Sequence, residues 1–170
     1  YYISKLVDEP SIFFDNILRF RFLMNGDFPM KLLVVVDMQK DFVDGALGTP
    51  EAQAIVENVV KRVKKAKEEG DQIIFTMDTH ETNYLETAEG KNLPVEHCIR
   101  ETAGWKLIPP LRPLTAGTKI IQKPTFGSTQ LSYLVAIGDY EEIELIGLCT
   151  DICVISNALL LKATVPETPI

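Results

Sequence analysis

Leu32-Leu33-Val34-Val35-Val36-Asp37 is the stretch that decides the fold. Successive side chains of a strand point to opposite faces, so an unbroken aliphatic run leaves neither face for water. That pattern fits a central strand of a parallel sheet, covered on both sides. The run stops at an acid. Ile73 to Met77 repeats the pattern and stops at Asp78, and Lys119 to Gln122 leads to Lys123. Glu142 to Ile146 leads through Gly147 into Leu148-Cys149-Thr150-Asp151-Ile152-Cys153-Val154. Helical stretches lie between the strands. Pro50 opens one that runs to about Glu69, with Ile55, Val59, Val60 and Val63 on its inner face, and Gly70 stops it. Ser128 to Ile137 and Ile155 to Lys162 read as two more. The alternation predicts a three-layer α/β/α fold with a mostly parallel sheet and right-handed crossovers. Pro166 to Ile170 reads as a loop turning into a fifth strand.

The totals narrow the class of protein. A chain of 170 residues, 46% hydrophobic and 24% charged, suits one soluble domain with a sizeable core. A net charge of -7 argues against nucleic acid or an anionic membrane as the main partner. No apolar run reaches the roughly 18 residues a membrane span needs. The three cysteines suggest neither a disulfide framework nor a zinc ribbon, which fits a reducing cytoplasm. Residues 1–29 look foreign to the rest of the chain, with seven of its fourteen aromatic residues. They read as an N-terminal extension, native or not. Within it Ser11 to Met24 suggests a helix with Phe14, Ile17, Leu18 and Phe22 on one stripe. The domain proper is expected over residues 30–170.

In an open parallel sheet, ligands bind beyond the carboxyl ends of the strands, where strand order reverses. Four strand ends here carry Asp37, Asp78, Lys123 and the Cys149–Cys153 turn, all on one edge. Thr150 or Asp151 is a candidate N-cap. Cys153 would sit in the first helical turn, where free amides and the helix dipole favour a thiolate. The same amides suit a developing oxyanion. The plain alternative for such a cysteine is buried filler, and for Asp37 and Lys123 a salt bridge closing the sheet edge. Together they suggest a nucleophile, a base and a cation between them.

A second group is Asp78-Thr79-His80 with His97. Residues two apart on an extended chain face the same way, so Asp78 and His80 can reach one ion. A carboxylate and two imidazoles with open positions form a common catalytic metal set. Both histidines of the chain, His80 and His97, fall in the long irregular segment from Thr79 to about Gly117. Glu89, ahead of Glu86, is the candidate fourth ligand. Glu81 and Glu96 read as solvated, and Cys98 reads as packing rather than a ligand.

Val-Val-Asp37-Met-Gln-Lys-Asp-Phe42, Asp78-x-His80, His97-Cys98, Lys123-Pro-Thr-Phe-Gly-Ser and Gly147-Leu-Cys-Thr-Asp-Ile-Cys153-Val together resemble the isochorismatase-like cysteine hydrolases, and within them the nicotinamidases. The resemblance runs from about Met30 to Ile170. It implies Asp37, Lys123 and Cys153 as a catalytic triad, and Asp78, His80, His97 and Glu89 as metal ligands. It also implies a cis peptide between Leu148 and Cys149, an oxyanion hole from the amides of Cys149 and Cys153, and Phe42 as part of the ring-binding wall. The cofactor implied is one divalent metal ion, zinc foremost, with manganese and iron as alternatives. The substrate implied is a small heteroaromatic amide, and a homo-oligomer is expected. Leu93-Pro94-Val95-Glu96 stands where the family has an aromatic before the metal-site histidine, and Glu101 where it has Gly. The family continues with another strand and helix, so the domain is expected to be C-terminally truncated. Three readings are open: nicotinamide hydrolysis through a Cys thioester; hydrolysis of another small amide, ureido acid or isochorismate-like ether; or an inactive fragment acting as an interaction module.

Overall fold

The computed structural model describes residues 30–170. Residues 1–29, with the helix expected over Ser11 to Met24, lie outside the described residues. Four strands form one parallel sheet: β1 (Lys31–Val36), β2 (Gln72–Asp78), β3 (Lys119–Lys123) and β4 (Glu142–Gly147), in the order β3-β2-β1-β4. The chain steps outward from β1 to β3, then returns to the other side of β1 for β4. The order therefore reverses between β1 and β4, which is the expected place for a ligand site. Leu148 continues this pairing, donating from its amide to the Val36 carbonyl at 3.0 Å.

The unbroken aliphatic run of β1 does what its composition requires, since Leu32 to Val36 are all buried. Leu33 and Val35 join Phe75, Met77, Val59, Val63, Ala66 and the loop residues Leu107, Ile108 and Leu111 on one face. Leu32, Val34 and Val36 join Ile74, Ile121, Leu131, Val135 and Leu161 on the other. Each such side chain contributes about 1.5–3 kcal/mol on full burial. The first face is covered mainly by α3 (Val56–Glu69), and the second by α5 (Thr129–Ala136) and α6 (Ile155–Thr164). The three-layer α/β/α arrangement is as the alternation of elements predicts.

Several local details differ from the sequence reading. A short helix, α1 (Lys40–Val43), follows β1, where four residues show no helical period in the sequence. The expected single helix from Pro50 is two, α2 (Pro50–Ala54) and α3, divided at Ile55. The long segment after β2 is not structureless: it holds α4 (Ala88–Asn92), capped by Thr87, whose Oγ1 accepts from the Gly90 amide at 3.0 Å. Pro166 to Ile170 forms no strand, although the Ile143 amide of β4 donates to the Pro169 carbonyl at 2.9 Å.

Among the described residues four non-glycine residues have positive φ, including Asp37 (49°), Cys98 (48°) and Glu101 (66°). Asp37 turns the chain out of β1, and aspartate is one of the few residue types that enter this region readily. Gly147, at φ 121°, ends β4, and any Cβ there would collide with the Val36 carbonyl. Glu101 lacks the same excuse. Its side chain is exposed, and a left-handed backbone costs a non-glycine residue roughly 1–2 kcal/mol. Glu101→Gly should therefore raise the unfolding free energy in urea by roughly 1 kcal/mol, after allowing for the extra freedom of glycine in the unfolded chain. A loss of stability would show that the Glu101 side chain contributes more than its backbone costs.

Candidate active site

The strand ends bring the two groups of residues together. Lys123, the last residue of β3, is 1% exposed and reaches across the carboxyl edge of the sheet. Its Nζ lies 2.6 Å from Oδ2 of Asp37, 3.4 Å from Sγ of Cys153 and 3.6 Å from Oδ1 of Asp78. It also donates to the Thr125 carbonyl at 3.1 Å. Asp37 is held from the other side by Thr76, whose hydroxyl donates to Oδ1 at 2.7 Å. Thr76 sits opposite Val36 in the β1–β2 register, so the sheet itself delivers this contact.

The charges follow from burial and neighbours. Burial opposes the ammonium of Lys123, but the acids Asp37 and Asp78 outweigh it and hold the group charged, well above the ordinary lysine range. Burial pushes the Asp37 carboxyl up; Lys123 pulls it down and Asp78 pushes it up again, and the net result lies above the usual carboxylate range. Burial and the Asp37 charge also push the Cys153 thiol up, against the pull of Lys123. This corrects the expectation of a thiolate favoured by the helix start. Cys153 is 5% exposed and packs in the apolar cluster beneath the sheet edge, so desolvation wins over the dipole. A thiol at rest needs a base, and Asp37 is the acid nearest to hand.

The turn carrying Cys153 also differs from the expected helix start. Thr150–Val154 is a π-helical turn whose cap residue is Cys149, and neither Thr150 nor Asp151 caps it. The Cys149 carbonyl accepts from the amides of Ile152 and Val154 at 3.2 and 3.0 Å. The Leu148–Cys149 peptide is cis, as the family resemblance implies. Asn157, one turn further on and fully buried, ties this turn to the β3–α5 loop. Its Nδ2 donates to the carbonyls of Cys153 and Phe126, and its Oδ1 accepts from the Ser128 amide.

Beside Asp37, Lys123 and Cys153, single donor atoms of Asp78, His80, Glu89 and His97 all lie within 4.8 Å of one another. His80 Nε2 approaches Asp78 Oδ2 to 2.9 Å, and His97 Nε2 approaches it to 3.5 Å; each imidazole lies 3.7 Å from Glu89 Oε1. The His97 Nδ1 contacts the Val95 carbonyl at 2.8 Å. A carbonyl can only accept, so Nδ1 carries a proton, and Nε2 is the ring nitrogen that faces the cluster. Burial opposes ionisation of Asp78, but the two imidazoles and Lys123 outweigh it and hold the carboxyl below the usual carboxylate range.

Unsatisfied buried atoms point to what this cluster suits. Among the described residues five buried side-chain atoms lack an in-line hydrogen bond, and Asp37 Oδ2, Asp78 Oδ1 and His80 Nε2 are three of them. The close contacts of Asp37 Oδ2 and His80 Nε2 are short in distance but wrong in angle. Buried polar atoms left this way are costly unless something binds them. Two imidazole nitrogens and two carboxylates converging on one point fit a divalent metal ion.

The structure brings every residue expected at the two sites to this one edge. Phe42 is buried with its ring 5.5 Å from His97. Glu86, Glu81 and Glu96 are exposed and outside the cluster, and Cys98 is fully buried but not part of it. The sequence reading missed Thr76, Asn157 and Tyr84. Tyr84 is fully buried against both imidazoles, at 4.7 Å from His80 and 5.0 Å from His97, and its hydroxyl donates to the Leu93 carbonyl. An aromatic four residues after His80 was the available signal, but an irregular loop gives no spacing rule to read it by.

The electrostatics give a test with opposite signs. The Asp37 charge pushes the Cys153 thiol up and the Lys123 charge pulls it down. Asp37→Asn should lower the thiol pKa and speed alkylation of Cys153 by iodoacetamide at neutral pH, while Lys123→Met should slow it. Mass-spectrometric labelling rates at Cys153, with Cys98 as internal reference, check both.

A model of the isochorismatase domain matches residues 31–163. A Bacillus subtilis protein described as an uncharacterized isochorismatase family protein, PncA, is 29% identical over 141 residues, covering 76% of each chain. The crystal structure of a pyrazinamidase of Pyrococcus horikoshii in complex with zinc superposes with a TM-score of 0.68 at 28% identity, covering 80% of each chain. That of a pyrazinamidase/nicotinamidase from Streptococcus mutans gives 0.71 at 28% identity, covering 78% of this chain and 80% of the other. Among the described residues no helix is long and apolar enough to cross a membrane. With a domain match over most of its length, the same fold and both groups of polar residues on one sheet edge, this chain belongs to the isochorismatase family of hydrolases.

Proposed function

We propose that the chain is an amidohydrolase that converts nicotinamide to nicotinate and ammonia through a thioester on Cys153. The observation that carries the reading is the position of Lys123, which touches Asp37, Cys153 and Asp78 at once. One buried cation joins a nucleophile, a base and a metal-ligand set. The zinc in the Pyrococcus horikoshii structure and the substrate names of the related enzymes support the same reading.

In this mechanism Asp37 takes the thiol proton as Cys153 Sγ forms a bond to the amide carbon. Lys123 stays protonated throughout and limits the cost of the charge that passes between acid and sulfur. The amides of Cys149 and Cys153 hold the oxyanion. The C–N bond then breaks and ammonia leaves with the proton from Asp37. Asp37 next deprotonates water, which attacks the thioester; the C–S bond breaks, nicotinate leaves and the proton returns to sulfur. Phe42 forms part of the wall against the pyridine ring. Asp78, His80, His97 and Glu89 would hold one divalent ion, zinc first among the candidates, which supplies a Lewis-acid anchor for the ring nitrogen. One observation favours a different small amide or ureido acid as substrate. Leu93 and Val95 stand exposed where the family resemblance calls for an aromatic wall.

A substrate panel of nicotinamide, pyrazinamide and small ureido acids, read by ammonia release, tests the assignment. Nicotinamide turnover that falls on the order of 10⁴-fold or more in Cys153→Ala is the expected result. Equal rates for the two proteins would end the thioester reading. Chelation should lower the rate, and zinc should restore it. The pH profile adds an independent check. Asp37 accepts a proton only when ionised, and its carboxyl is raised, so activity is lost as pH falls through that raised value. The acid limb of kcat/KM should therefore lie above the roughly pH 4 of an ordinary aspartate.

A further inference from the structure

The residues after Asp37 do more than connect β1 to α1. The β1–β2 ladder ends with Val36 opposite Thr76, and the last bond runs from the Asp37 amide to the Thr76 carbonyl at 3.2 Å. Alternate residues of a parallel strand direct both backbone groups to the same neighbour. Two residues beyond Thr76, the N–H and C=O of Asp78 face the β1 side, where the strand has already turned away. A buried backbone pair cannot be left unpaired cheaply.

The side chain of Gln39 takes the place of the missing strand. Its Oε1 accepts from the Asp78 amide at 2.7 Å, and its Nε2 donates to the Asp78 carbonyl at 2.8 Å. The second Nε2 hydrogen goes to the Trp105 carbonyl at 2.7 Å. The residue is fully buried. A carboxamide has the same planar donor and acceptor as a peptide bond, so it extends the ladder by one step. Neither Glu, without donors, nor Met, without either group, can do this.

Asp41 does a similar task for the other arm of the metal cluster. Its Oδ2 accepts from the Cys98 amide at 2.8 Å, next to His97, and its Oδ1 accepts from the Ala46 amide at 3.4 Å. Its own amide donates to the Gly104 carbonyl at 3.0 Å. A Cβ at Gly104 would run into the Asp41 carboxyl, so the turn after Cys98 is closed down on this acid. Cys98 has φ 48°, a conformation that needs such a tether.

We propose that Gln39 and Asp41 are positioning residues that set the metal affinity of the site, Gln39 by fixing the backbone of Asp78 and Asp41 by fixing the turn after His97. The proposal rests on reading Asp78, His80, Glu89 and His97 as a metal site. It makes the stretch from Asp37 to Asp41 a single organiser: the base at its start, and a hold on each arm of the metal loop at alternate positions after it.

The test uses the purified full chain stripped of metal, with zinc affinity measured by competition against a chromophoric chelator. Gln39→Met should weaken zinc binding roughly 10- to 100-fold, the usual effect of losing a supporting contact around a metal site. Asp41→Ala should do the same. Asp41→Asn should keep near-normal affinity, because the short contact to the Cys98 amide needs one acceptor oxygen and not a charge, and only the long 3.4 Å contact to the Ala46 amide is given up. Cys153 alkylation in the metal-free Asp41 variants should change less than about twofold, since Asp41 contacts the Cys98 and Ala46 amides and not Lys123, Asp37 or Cys153; thiol reactivity is governed by its own charged neighbours. Cooperative thermal unfolding confirms that each variant is folded. Should Gln39→Met fail to fold, the Asp41→Ala and Asp41→Asn pair decides. Folded variants that bind zinc within twofold of the natural chain, or an Asp41→Asn protein as weak as Asp41→Ala, would overturn the proposal. If the natural chain itself binds no zinc, the metal-site reading fails, and the positioning role falls with it.

Discussion

The buried ammonium of Lys123 is the contact on which the rest of the structure depends. A cation that is 1% exposed is costly to hold in a protein interior unless opposite charge surrounds it. Here the compensation comes from both sides, Asp37 on one and Asp78 on the other. The two acids depend on the lysine in turn, Asp37 more than Asp78, whose carboxyl the two imidazoles also hold ionised. Removing one member of such a group leaves the others uncompensated, which typically costs about 3–5 kcal/mol. Asp37, Lys123 and Cys153 on one side and Asp78, His80, Glu89 and His97 on the other are therefore parts of one charge network rather than two groups that happen to be adjacent.

The sheet makes that network possible. Parallel strands buried on both faces have only their ends available for polar groups, and all their carboxyl ends share one edge. Register then decides which ends meet. Asp78 stands opposite Lys123 across β2 and β3, and Val36 stands between Thr76 and Gly147. Asp37 thus emerges between the lysine and the cysteine turn. Because each strand end is fixed by a ladder and a packed core, the geometry does not depend on loop conformation. The metal cluster is different. Three of its four members, His80, Glu89 and His97, come from the long segment after β2, and that segment needs tethers of its own, from Thr87, Gln39 and Asp41.

Much of this was legible in the chain. The aliphatic runs and their closing Asp37, Asp78 and Lys123 gave the strands and the shared edge, since period and length are local properties of sequence. Asp78-x-His80 was readable for the same reason. Glu89 is readable as a candidate from its place in the same loop as the histidines, and the family resemblance points to it again; the short helix that presents it is not, because five residues are too few for a helical period to show. Thr76 was hidden inside an apolar strand, where a threonine looks like any β-branched residue. Gln39 and Tyr84 looked like ordinary loop residues, since the groups they serve are far off in the chain. The favoured thiolate at Cys153 was a misjudgement of balance. Helix-start amides are a local feature, but the desolvation that outweighs them comes from the whole core.

The sequence by itself determined the strand and helix pattern, the acids and lysine at the strand ends, and the identity of every group able to hold an ion or attack a carbonyl. These follow from hydrophobic period and side-chain chemistry, which act over a few residues. Only the tertiary structure decided that β4 lies beside β1, that Lys123 touches both groups, that Cys153 rests as a thiol, and that a glutamine completes a ladder for Asp78. Strand order, burial and charge balance arise from contacts between residues 30 to 111 positions apart, such as Lys123 with Cys153 and Lys31 with Glu142. No local rule carries that information. It appears when the chain closes around a core and every buried polar atom must find a partner.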